Sequence, residues 1–168
     1  MTKESVYLDW LRDAHAVEMH AEPMLHALLT RLDEYPLLRA RIDQYLHHTR
    51  EQQQQVKEVL KRHDSEWSAL KDALGRMSAV GQAASDMLRD GEGVRIAVSA
   101  YAFCNYKVAT YTTLLTVAQQ AEDAAGEKLF QRILQHEMQM ADWLLQQLPE
   151  VANEALLLRT EEDEPDVV

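Results

Sequence analysis

Glu18 and Glu137 stand where apolar residues are expected, each inside a long stretch of helical periodicity. In the first stretch Leu11, Ala14, Glu18, Ala21, Leu25, Leu28 and Leu32 recur at alternating spacings of three and four, which marks one face of an α-helix. Near the other end Phe130, Ile133, Glu137, Met140 and Leu144 do the same, with Leu134, Ala141, Leu145 and Leu148 widening the stripe. A lone buried carboxylate costs several kcal/mol unless it is paired, protonated or bound to a metal, so two of them predict one shared internal site. Hard dications want anionic oxygen, with an imidazole one helical turn from a carboxylate on the same face. His48 and Glu51 supply that pair in reversed order. The candidate metal ligands are therefore Glu18, His48, Glu51 and Glu137, for iron, manganese or zinc, and Cys104 as a soft ligand would favour zinc. Lys107, one turn beyond Cys104 on the flank of its seam, offers the opposite chemistry, because an ammonium can compensate two carboxylates without any metal.

Four long helices are needed to bring these residues together. Helix A is predicted from Ser5 to Glu34, and Pro36 opens helix B, which runs to about His63 on the seam Leu38, Ile42, Tyr45, Thr49, Gln52, Val56 and Val59. That seam turns polar at its centre, as helices A and D do at theirs. Ser65 reads as the N-cap of a helical crossover reaching about Leu88, and Asp90 to Gly93 breaks the chain. Helix C is expected over Val94 to Gln120, on Ala97, Tyr101, Cys104, Val108, Tyr111, Leu115 and Ala118, and helix D over Ala124 to Leu148. Pro149 ends or restarts the chain before a short terminal helix from Glu150 to about Leu158. Two antiparallel pairs joined by one long connection describe an all-α, ferritin-like four-helix up-down bundle, with helices crossing at roughly 20°. Residues 1–160 form one domain and 161–168 an acidic tail.

The chain has 168 residues, 17 basic and 28 acidic, for a formal net charge of −11. That charge repels phosphate backbones and anionic lipid, which argues against nucleic acid and membrane partners. No apolar stretch approaches the roughly 20 residues of a membrane span. One cysteine excludes an internal disulfide, and Met1 to Asp9 lacks a signal-peptide pattern, so a cytoplasmic protein is expected.

The segments Tyr7–Leu–Asp–Trp–Leu–Arg–Asp–Ala–His–Ala–Val–Glu18, Tyr35–Pro–Leu–Leu–Arg–Ala–Arg–Ile42, Ala109–Thr–Tyr–Thr–Thr–Leu–Leu115 and Gln139–Met–Ala–Asp–Trp–Leu144 together resemble the YciE/YciF family of bacterial ferritin-like stress proteins. The resemblance covers nearly the whole chain. It implies a ferritin-like fold, dimers and a di-metal site, with Glu18 and Glu137 at the family's carboxylate positions. The chain departs from that pattern in three places: His48 replaces a helix B glutamate, and Cys104 and Lys107 replace two helix C glutamates.

Other residues read as structural. His15, Glu22 and His26 share one flank of helix A and are expected on a solvated face; His47 and His136 border inward positions, where either could bond a carboxylate. Pro23 should bend helix A one turn beyond Glu18. The methionines and Trp10, Trp67 and Trp143 suit packing, and a seam position argues against Cys104 as a nucleophile. Two functions remain. One is a stress-response protein with a reduced or single-metal carboxylate site handling a metal or reactive oxygen. The other is a metal-free structural or interaction protein centred on a Lys107/Glu18/Glu137 ion network. A homodimer is expected, through Trp67, Leu70, Leu74 and Met77 or through the terminal helix.

Overall fold

A computed structural model describes residues 1–63, 82, 86 and 92–162. The described chain is helical: α1 spans Lys3–Leu29, α2 Pro36–His63, α3 Gly93–Gln120 and α4 Ala124–Glu162. The predicted crossover, and with it the proposed interface of Trp67, Leu70, Leu74 and Met77, lies outside the described residues, as does the tail beyond 162.

Helix α1 begins earlier than expected. Thr2 and Ser5 form a capping box in which each backbone N–H donates to the other's hydroxyl, at 2.9 and 3.1 Å. It also stops more than a turn early, at Leu29, where its last carbonyls are satisfied from outside the ladder: Arg39 Nε of α2 donates to Leu29 O at 3.2 Å and the hydroxyl of the C-cap Thr30 to Ala27 O at 3.0 Å. Pro23 lies inside α1 without ending it. Pro149 likewise does not end α4, so the expected terminal helix is continuous with helix D as one 39-residue element. The proline frees the Leu145 carbonyl, but Leu145 is 52% exposed and water can satisfy it. Beyond the proline Val151 and Ala155 stay buried, and Arg159 pairs with Glu92 at the start of α3, which together hold the extra turns.

Two apolar clusters fill the bundle. One takes Leu25, Leu32, Leu38 and Ile42 with Ile96, Phe103, Met140 and Leu144; the other takes Tyr7, Leu11, Val56 and Val59 with Tyr111, Leu114, Phe130 and Ile133. Helices α1 and α4 pass from the second cluster to the first, and α2 and α3 pass from the first to the second. Consequently α2 and α3 run in the same direction, with α2 ending at one end of the bundle and α3 starting at the other. Each helix crosses between clusters at a polar residue: Glu18 in α1, Thr49 and Gln52 in α2, Lys107 in α3 and Glu137 in α4.

The inward face of α3 differs from the expected seam. Ala100, Cys104, Lys107, Tyr111, Leu114 and Ala118 are buried, whereas Tyr101, Val108 and Leu115 are only partly so. Apolar residues surround this helix, so periodicity alone leaves its rotation loosely set, and a lysine counts against the true inward position. At the start of α3, Gly93 packs directly on the Tyr35 ring, where a Cβ would overlap it.

Candidate functional site: a buried lysine between two glutamates

Glu18, Lys107 and Glu137 are each 0% exposed. Lys107 Nζ lies 3.0 Å from Glu18 Oε1, 2.7 Å from Glu137 Oε1 and 3.0 Å from Gln52 Oε1, so one ammonium touches all three other helices. Two of its N–H donors make hydrogen bonds, to Glu18 Oε2 at 3.1 Å and to Gln52 Oε1, while Glu137 is met as a charge contact. The Tyr45 and Phe103 rings lie 5.3 and 5.9 Å from the same nitrogen, with their faces adding cation–π attraction. Phenols bond both carboxylates: Tyr111 OH donates to Glu18 Oε1 at 2.7 Å and Tyr45 OH to Glu137 Oε2 at 2.6 Å. Glu137 Oε1 receives no well-directed hydrogen bond and is held by its charge contact with Lys107.

The electrostatics follow from burial. Desolvation pulls the Lys107 ammonium down, but Glu137 and then Glu18 outweigh it and hold the group above its usual range. Glu18 is pushed up by burial, with the repulsion of Glu137 adding to it against the pull of Lys107. Burial, with the nearby carboxylates, likewise raises the Tyr45 and Tyr111 phenols and the Cys104 thiol. A thiol held protonated in a closed core is no nucleophile.

The other predicted ligands lie elsewhere. Inward positions of α2 are Tyr45, Thr49 and Gln52, which turns His48 sideways and Glu51 outward to solvent. His48 stacks on His136 of α4, ring centres 5.0 Å apart, and both line a cavity of about 260 Å³ with Arg41, Gln44, Gln139 and Met140. Tyr45 borders both this groove and the buried centre. On α1, His15 is buried rather than solvated, Glu22 pairs with Arg50 at 2.8 Å, and His26 is exposed. Burial lowers the His15 pKa, and Lys57 adds to the effect.

A metal between the two carboxylates would have to share their centre with the ammonium. Among the described residues no three His, Cys, Asp or Glu side chains converge as a ligand set. The residues present do not fit a di-metal centre, for which more carboxylates are needed.

Several members of the site escape a reading of the sequence. Tyr45 and Tyr111 sit one turn from Thr49 and Lys107 and look like ordinary seam residues, although a buried phenol needs an acceptor. A second cluster was also missed. Asp123 caps α4 through Oδ1, which accepts from Gly126 N at 3.0 Å and lies 3.6 Å from Arg62, and its Oδ2 accepts from Tyr7 OH at 2.8 Å and meets His63 Nε2 at 3.0 Å. Burial alone would raise Asp123, but these bonds and the Arg62 charge win and lower it. Asp immediately before a predicted helix was the available signal.

Among the described residues, four long helices and a buried polar centre to which each of them contributes a side chain define a ferritin-like bundle protein. The chain belongs to the family described as Domain of unknown function (DUF892), whose model matches residues 2–157. Its fold is shared with solved relatives. A protein from Xanthomonas campestris pv. campestris is 26% identical at a TM-score of 0.75, covering 95% of this chain and 99% of that one. The E. coli stress protein YciF is 20% identical at 0.77, covering 91% and 98%. YcfI from Rhodopseudomonas palustris is 19% identical at 0.70, covering 86% and 93%. The expected YciE/YciF-like family and ferritin-like fold are thus both found.

Proposed function

We propose that this protein is a cytoplasmic, homodimeric stress-response bundle that works without a resident metal, its centre closed by the Lys107/Glu18/Glu137 network and its activity residing in what its surface binds. The observation that carries this reading is Lys107 Nζ within 3.0 Å of both buried carboxylates, where it supplies the cation that a metal would otherwise provide. The segments of helices A, B, C and D that carry the family resemblance, taken together, further suggest a member nearest to YciE. The competing reading, a single iron, manganese or zinc ion on Glu18, His48, Glu51 and Glu137, requires Lys107 to leave and two α2 side chains to turn inward.

Elemental analysis of the purified, tag-free protein after loading with each metal separates the two. The expected result is well under about 0.1 equivalent per chain for the parent, with Lys107→Glu binding at least about tenfold more, since it restores a third carboxylate. Near-stoichiometric metal in the parent, lost in Glu18→Gln and Glu137→Gln, would overturn the proposal.

A further inference from the structure

Gln52 is the member of the centre that charge compensation does not explain. Its side chain is 3% exposed, its Oε1 accepts from Lys107 Nζ, and its Nε2 meets no acceptor among the described residues. Turning the amide over would aim a donor at an ammonium, so the oxygen must face Lys107. Buried side-chain donors are normally satisfied, and one left unpaired beside a lysine asks for a reason. The arrangement places an amine, a neutral acyl group with its nitrogen unencumbered, and two proton-accepting carboxylates together inside walls that exclude water. These are the components of acyl transfer.

We propose that Lys107 and Gln52 form an intramolecular isopeptide bond that ties α2 to α3, with Glu18 as the proton acceptor. Glu18 first takes one proton from the ammonium, leaving a neutral amine. The amine lone pair attacks Gln52 Cδ, forming the N–C bond while the carbonyl π pair moves onto Oε1. That pair then returns, the Cδ–Nε2 bond breaks, and a second Nζ proton passes to Nε2, which departs as ammonia. The third proton remains on the new amide and the first remains on Glu18. No atom changes oxidation state. The centre carries the same charge before and after, because the lost ammonium is matched by a neutralised Glu18, and burial already favours the protonated form of that carboxyl. Gln52 is the acyl donor rather than Glu137 because an ionised carboxylate is a poor electrophile, and exclusion of water leaves hydrolysis no route back. The carboxylates that hold Lys107 protonated also make the free amine scarce, so the bond forms slowly after folding.

This inference rests on the closed, metal-free centre as the precursor, whose Lys107 and Glu18 charges the bond then removes together, and the two fail separately, since metal content tests one and covalent mass tests the other. The experiment is intact mass measurement of the purified full-length protein, fresh and after incubation, followed by digestion. The expected mass is about 17 Da below that of the sequence, one ammonia, with a branched peptide joining the Gln52 and Lys107 segments that survives denaturant. Lys107→Arg should keep the full sequence mass, and folded Glu18→Gln should form the bond at least about tenfold more slowly. A parent protein at its full sequence mass after incubation overturns the proposal without recourse to any variant. A loss of about 18 Da, with a branch from Lys107 to Glu18 or Glu137, overturns the assignment to Gln52.

Discussion

Lys107 is worth more to the fold than either glutamate. Removing it leaves two carboxylates facing one another without a cation, whereas removing one glutamate charge leaves a matched pair. Lys107→Met should therefore destabilise the protein by about 3–5 kcal/mol. Glu18→Gln, which keeps a carbonyl for Tyr111 and Lys107, should cost below about 2 kcal/mol. Urea midpoints read both, and the reverse order would show that the carboxylates are not sharing one cation. Legibility at this scale depended on contrast. Glu18 and Glu137 stood out because a charge interrupts an apolar stripe, but Tyr45 and Tyr111 fit such a stripe whether or not their hydroxyls bond anything. Gln52 was visible as a polar break in α2, while its contact with Lys107 depends on the rotation of α3, which the pattern left open.

The helix ends carry the strongest local determinants among the elements. Glu122 closes the turn between α3 and α4 with φ of 57°, a left-handed conformation that favours glycine. Glu122→Gly is expected to raise stability by about 0.5–1 kcal/mol, seen as a higher thermal midpoint. Next to it, Asp123 ties α1, α2 and α4 through Tyr7, His63 and Gly126, and its pKa is lowered in the folded chain. A depressed carboxyl adds stability that is complete above its unfolded pKa of about 3.9 and is lost as pH falls through the folded value. Asp123→Asn should thus cost about 1–3 kcal/mol at neutral pH and flatten the loss of stability below about pH 4, measured by urea titration across that range. A variant with the parent's acid profile would assign that loss to other groups. Helices A to D were legible from periodicity and from Pro36, whereas Pro149 misled, because a proline ends a helix only when packing beyond it is too weak to hold the chain. Here Val151 and Ala155 are buried and the helix continues.

At the scale of the whole molecule, α4 leaves Met138, Leu145, Leu156 and Leu157 at least half exposed on a chain of net charge −11. Salt should screen the repulsion between copies and let this apolar surface pair. Light scattering near physiological salt should return about twice the 19.3 kDa chain mass. Leu156→Glu with Leu157→Glu should return the single-chain value, and a monomer at every salt and concentration would remove the dimer from the proposed function. The polar layer between the two apolar clusters also fixes the axial register of the bundle. Sliding α3 by one turn, about 5.4 Å, would set Lys107 level with Ala14 and Ile133, or with Ala21 and Met140, and strand Glu18 and Glu137 opposite side chains that cannot answer their charge. Leucine-rich seams tolerate such slips, since one turn of apolar residues packs much like the next. A single polar layer drawn from all four helices, with charges on three of them, does not, so the alignment of the helices is decided at the middle of the bundle rather than by the loops at its ends.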